Sequence, residues 1–251
     1  MPSLMFTRRT VVAGAFAALS IAMEKPVRVH RIFELRNYLL KPGRRDELIA
    51  LFEREFVESQ EAAGLRVVAT FRNLDDPDRF VWIRSFADMQ ARKAALEAFY
   101  NGPVWAAHRE AANATMIDSD NVLLLHPAGA PVALPSSRPP LGAEDDAQSV
   151  FIAATYTAPH ADAFAAEFAE AATPAVKRSD GEICAAFAAE HSKNTFPRLP
   201  VRENESVFVA LLRFDSGAAS RSLLDGNGLA MPGAAAPEIL RLHPTARSLL
   251  R

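Results

Sequence analysis

Hydrophobic and polar positions alternate with period two along residues 30–40. The period then lengthens to a helical one over residues 44–63, where Leu48, Leu51, Phe52 and Phe56 fall on one face. Lys41-Pro42-Gly43 supplies the turn between the two. Residues 65–72 and 79–86 read as strands joined at Asp75-Asp76-Pro77-Asp78. A second helix is expected over 88–100. Asn101-Gly102-Pro103 breaks it ahead of a short third helix carrying Trp105 and His108, and residues 121–126 close as a strand. The order β-α-β-β-α-β is the ferredoxin-like unit.

The same pattern then begins again. Residues 128–148 form a linker rich in Pro, Ala, Gly and Ser with no apolar period. Beyond it, strands are expected over 149–157, 182–189, 206–214 and 238–243, with helices over 161–176 and 218–224. Leu123-Leu124-Leu125-His126-Pro127 matches Leu240-Arg241-Leu242-His243-Pro244 at an offset of 117 residues, and Phe33 and Tyr38 match Phe151 and Tyr156 at 118. Two landmarks agreeing within one residue mark an internal repeat. Residues 193–202 are an insertion in the second copy, whose later helix is shorter. The fold class is therefore α+β, with one half over 27–127 and a second, degenerate half over 149–251.

Residues 1–22 read as a targeting segment. Arg8 and Arg9 precede an uncharged apolar run, and Ser20-Ile21-Ala22 is a small-x-small cleavage candidate. Thr7-Arg8-Arg9-Thr10-Val11-Val12 resembles the twin-arginine motif, with Ala13 where a Lys often follows. That resemblance implies export of a folded protein to the periplasm or beyond, with no integral membrane contact afterwards. Translation from Met23 would instead leave the protein cytoplasmic.

Composition narrows the function classes. With 28 Lys+Arg against 30 Asp+Glu, the chain offers no electrostatic reason to bind nucleic acid. Its single cysteine, Cys184, excludes an internal disulfide and any CxxC site. The six histidines form no H-x-H or H-x3-H pair, so no metal site and no cofactor is expected. His126 and His243 recur before proline and read as strand ends. P-loop, GxSxG, HExxH and GxGxxG motifs are all lacking.

The first strand carries the candidate chemistry. Alternation separates Phe33 and Leu35 from Glu34, Arg36 and Tyr38, and on the strand at 79–86 it separates Val81 and Ile83 from Trp82 and Arg84. The Phe/Leu set is expected under the helices, which would aim the polar set at the barrel interior. In the second half the matching positions are Ile152, Ala154, Ala210 and Leu212, and only Tyr156 keeps its type. A polar and aromatic lining opposite small residues is what a pocket between two sheets requires; an intersheet core with one buried ion pair gives the same pattern. The candidate ligand-binding residues are Glu34, Arg36, Tyr38, Trp82, Arg84, Trp105 and Tyr156. His108, one helical turn from Trp105, is the candidate proton acceptor, with a half-exposed surface histidine as the alternative.

Glu34-Leu35-Arg36-Asn37-Tyr38 followed by Pro42-Gly43 resembles the E-L-R-x-Y…P-G opening of the NIPSNAP family. Phe80-Val81-Trp82, Arg92 and Pro103-x-Trp105 are similar to its later landmarks. The resemblance covers residues 30–127 directly and 149–245 through the repeat. It implies a dimeric α+β barrel built from two ferredoxin-like halves, closed within the chain or as a homodimer, and no agreed reaction. Three functions fit: a small-molecule binder using the barrel interior; a cofactor-free monooxygenase- or isomerase-like enzyme acting on an activated aromatic or carbonyl substrate; and an interaction protein without a pocket. The residues alone do not decide whether the protein is an enzyme.

Overall fold

The computed structural model describes residues 29–129 and 132–251. The expected targeting segment lies outside the described residues. In the first half, β1 (Ile32–Leu40) leads into α1 (Arg45–Leu51), a π-helical segment (Phe52–Phe56) and α2 (Val57–Ala62). Then come β2 (Arg66–Asn73), β3 (Arg79–Phe86), α3 (Met89–Tyr100), α4 (Pro103–Thr115), the short β4 (Met116–Asp118) and β5 (Val122–Pro127). The second half is β6 (Val150–Thr157), α5 (Ala161–Arg178), β7 (Gly181–Ala189), β8 (Val207–Phe214), α6 (Gly217–Asp225) and β9 (Glu238–Pro244).

The strands pair in the order β3-β2-β9-β6-β8-β7-β5-β1, and β1 pairs back to β3, so eight antiparallel strands close a barrel within one chain. Each half contributes four strands in the ferredoxin-like order, β5-β1-β3-β2 and β9-β6-β8-β7. The halves meet at two seams, β2 with β9 and β5 with β7. The repeated His-Pro pairs stand at these seams, His126 opposite Ala188 and His243 opposite Arg72. A register shift at Val67/Ala69 in β2 recurs at Ile183/Ala185 in β7, so even the bulge is repeated.

The lumen is a dry core. Phe33, Leu35, Val81 and Ile83 point inward to meet Phe151, Ala153 and Val209. Phe33 lies 4.9 Å from Phe187 and Phe71 lies 5.2 Å from Phe151, two aromatic contacts related by the pseudo-two-fold. The residual void is about 10 Å³, no more than one water requires. The linker carries Val132 and Leu134 onto this core, while Arg66 donates to the Pro135 and Ser136 carbonyls.

This inverts the expected faces. Glu34, Arg36, Tyr38, Trp82 and Arg84 lie on the outer face of the sheet, beneath the helices of the first half, and not in the barrel interior. Ala154 and Ala210 do not face them; they lie under α5 with Tyr156. A small molecule in the barrel interior therefore has no room. The physical reason is that eight strands enclose a space just wide enough for side chains, which suits apolar groups and leaves no water for charges. Alternation distinguishes two faces, but both faces of β1 are buried, so it cannot say which one the helices cover.

Candidate functional site

Three guanidinium groups converge on one carboxylate between the first sheet and its helices. Arg36 Nη1 donates to Glu34 Oε2 at 2.6 Å, Arg84 Nε to the same oxygen at 2.8 Å, and Arg92 Nε to Oε1 at 2.6 Å. Pairing of β1 with β3 sets Glu34 against Arg84, Arg36 against Trp82 and Tyr38 against Phe80. Arg92 arrives from α3, whose N-terminus is fixed by the Asp88 carboxylate accepting from Ala91 N at 2.7 Å. All four ionisable groups are no more than 1% exposed.

Several of the other donors find partners around the rim. Arg36 Nε donates to Tyr38 Oη at 2.9 Å, and Arg84 Nη1 to Gln60 Oε1 at 3.2 Å. Arg92 Nη1 donates to Asn194 Oδ1 at 3.0 Å and Thr195 Oγ1 at 3.2 Å. Arg36 and Arg84 sit over the Trp82 ring at 5.5 and 5.1 Å. Although burial opposes it, Arg84, Arg36 and Arg92 together hold the Glu34 carboxyl well below the usual carboxylate range. Burial pushes the Tyr38 hydroxyl up and pulls the Arg92 guanidinium down.

Three cations and one anion leave a buried net charge of +2, and among the described residues no second carboxylate pairs with these guanidinium groups. Arg92 Nη2 and Trp82 Nε1 are buried without an acceptor. Beside the cluster lies a cavity of about 30 Å³, bounded by Tyr38, Gln60 and Trp82 on one side and by Phe52, Phe56, Tyr100 and Trp105 on the other. The arrangement can neutralise an anion and stack a flat group; among the described residues lining the cavity none is a carboxylate or a histidine.

Of the residues singled out from the sequence, Glu34, Arg36, Tyr38, Trp82 and Arg84 are brought together, and Trp105 joins them across the cavity. His108 is not: its Nε2 lies 3.4 Å from Glu55 Oε2 on the outer side of Phe56, a third exposed. Tyr156 occupies the matching place in the other half, where its hydroxyl donates to Leu229 O at 2.7 Å among Phe164, Phe168 and Phe208. There the ladder Ile152–Leu212, Ala154–Ala210, Tyr156–Phe208 repeats Glu34–Arg84, Arg36–Trp82, Tyr38–Phe80 pair for pair, without a charge.

Sequence reasoning missed Arg92, Gln60, Asn194 and Thr195 as members of the cluster. For Arg92 a signal existed, because it shares the buried stripe of α3 with Ala95, Leu96 and Phe99. Asn194 and Thr195 had none, since they arrive from the other half on an irregular loop.

Residues 33–131 match the NIPSNAP family model. The first half is a NIPSNAP domain. An uncharacterised NIPSNAP-like domain protein from Burkholderia xenovorans is 24% identical, covering 43% of this chain and 93% of its own, with a TM-score of 0.39. Two longer structures span both halves. An anthrone oxidase-like protein is 11% identical, covering 86% of this chain and 92% of its own, with a TM-score of 0.52. A provisionally assigned monooxygenase from Lactobacillus acidophilus is 13% identical, covering 87% of this chain and 97% of its own, with a TM-score of 0.49. No curated protein matches the chain. The NIPSNAP domain thus carries the charged cluster, and the second half carries the same frame without it.

Proposed function

We propose that the NIPSNAP domain of this chain is a binding module for a small anionic molecule, seated between sheet and helices at Arg36, Arg84 and Arg92. The observation that carries this reading is the duplication. The second half builds the same three cross-strand pairs from Ile152 and Leu212, Ala154 and Ala210, and Tyr156 and Phe208, so the frame does not require buried charge. The first half nonetheless buries three cations around one anion, at a desolvation cost of several kcal/mol per ion. A ligand carrying negative charge offsets the surplus of +2 and gives the unpartnered Arg92 Nη2 an acceptor.

Binding fits the chemistry better than catalysis does. A reaction on an activated aromatic or carbonyl substrate, of the kind that the name of the anthrone oxidase-like neighbour suggests for that protein, needs a proton acceptor. Glu34 is held as a weakly basic carboxylate, and His108 faces Glu55 instead of the cavity. Tyr38, which accepts from Arg36 and keeps its own proton, is suited to donate a hydrogen bond to a bound oxygen.

Thermal unfolding in the presence of small carboxylates and inorganic phosphate tests the reading. A ligand at a hundredfold over its Kd adds about 2.7 kcal/mol of stability, so the melting temperature should rise with anion concentration in the wild type. The rise should vanish in Arg36→Met and Arg84→Met while the fold persists. A purely structural cluster gives lowered melting temperatures in both variants and no anion dependence in any of the three proteins.

A further inference from the structure

The loop joining β7 to β8, residues 190–206, has no regular structure and is far longer than its counterpart 74–78 in the first half. Loops of this length inside a compact fold are commonly functional. This one crosses the boundary between the halves and ends in the binding site of the other half. Asn194 Oδ1 and Thr195 Oγ1 accept from Arg92 Nη1 at 3.0 and 3.2 Å, and Thr195 Oγ1 donates to Met89 O at 3.2 Å. Phe196 stacks on Tyr100 with ring centroids 5.8 Å apart and planes at 25°, and joins the apolar cluster under the helices. Leu199 and Val201 pack on the same cluster.

Three consecutive residues thus present two neutral oxygens to Arg92 and a flat ring to the aromatic wall. The oxygens bring no charge, so the surplus of +2 persists beneath them, and Arg92 Nη2 still lacks an acceptor. The nearby cavity of about 30 Å³, whose wall includes the Tyr100 ring that Phe196 covers, is too small for an organic ligand.

We infer that residues 194–196 stand in the ligand's place, and that the ligand is an aromatic carboxylate. Its carboxylate takes Arg92 in exchange for Asn194 Oδ1 and Thr195 Oγ1, and its ring takes the face of Tyr100 in exchange for Phe196. The loop is therefore a plug that the ligand displaces. This inference rests on the reading of the cluster as an anion site and adds the ring and the displacement. Charge complementarity selects the carboxylate over a neutral amide of the same shape, because only the former reduces the buried surplus.

The experiment is a titration of the full chain with phenylacetate, phenylacetamide and succinate, followed by calorimetry and by the fluorescence of Trp82 and Trp105. Phenylacetate should bind, and the two others should bind at least tenfold more weakly. The double variant Asn194→Ala/Phe196→Ala should bind phenylacetate more tightly, by about tenfold where the plug is in place in roughly nine molecules of ten. Arg92→Gln should lose binding. Hydrogen exchange gives a second readout that needs no variant: phenylacetate should raise, and not lower, exchange of the amides over 193–199. Equal binding of phenylacetamide, weaker binding by the double variant, or increased protection of the loop each overturns the inference. Binding of succinate but not of phenylacetate, lost in Arg84→Met, overturns the aromatic carboxylate and leaves the anion site standing. If no anion binds either the wild type or the double variant, both readings fall.

Discussion

Glu34 is the one carboxylate on which three guanidinium groups depend, through two oxygens and with no solvent to share the load. Its removal therefore differs in kind from removal of a cation. Glu34→Gln leaves three buried positive charges facing one another, and breaking a buried pair in this way costs about 3–5 kcal/mol. Urea denaturation should show that loss at neutral pH. The pH dependence follows from the direction of the shift. Glu34 is held below its ordinary value in the folded state, so as pH falls the unfolded chain takes up the proton first. The stability that Glu34 confers is complete above about pH 5, near the unfolded carboxyl value, and declines steadily below it. The gap between wild type and Glu34→Gln should therefore be widest at neutral pH and shrink as the solution is made acid. A gap of the same size at pH 3 and pH 7 would mean that Glu34 acts through shape alone.

At the scale of elements, the helical stretch 45–62 shows both the reach and the limit of pattern reading. Leu48, Phe52 and Phe56 mark one apolar face, and the structure buries all three. The π-helical segment within it was not legible, because a spacing of four residues between Phe52 and Phe56 suits an α-helix and a π-turn equally. The extra residue matters: it brings Phe56 edge-on to Phe52 at 6.0 Å and still lets Gln60 reach Arg84. Deleting the exposed Arg54 should let the segment relax to α-helix and leave α2 nearly unturned, because five residues of π-helix turn the chain about as far as four of α-helix. Far-UV circular dichroism and the anion-dependent rise in melting temperature should then both be preserved; loss of the rise would show that the π-segment itself sets the site. The strand β4 was likewise not legible, being three residues paired to the end of β1. The loop 190–206 could be recognised as an insertion, but its destination is set by tertiary packing that no local pattern encodes.

For the whole molecule, the repeat was legible because two landmarks share an offset, and the barrel then follows from pairing the free edges of two ferredoxin-like sheets. What could not be read was which face looks inward, since Phe33 and Glu34 are both fully buried neighbours. The halves are further tied by the C-terminal residues, which return to the first half. Thr245 Oγ1 donates to Glu53 Oε1 at 2.6 Å, Arg247 Nη1 donates to Glu53 O at 2.6 Å, and Arg247 pairs with Glu58. Together with the two seams and the loop, this interlocking makes independent unfolding of one half costly. Both tryptophans lie in the first half, so their fluorescence reports on it alone, whereas far-UV circular dichroism reports on both. The two transitions should coincide in urea; a fluorescence midpoint displaced from the dichroism midpoint would show the halves melting separately.

A barrel made of two identical chains is bound by its axis: whatever stands at a position stands there twice, and every change is made twice. A barrel written as one chain is free of that rule. Here the freedom has been used asymmetrically. One side keeps the charges, and the other is filled with phenylalanine and alanine and lends a loop to its neighbour. On the reading proposed above, the molecule is a division of labour between twins, a receptor and its stopper, with one seat for a guest where the architecture has places for two.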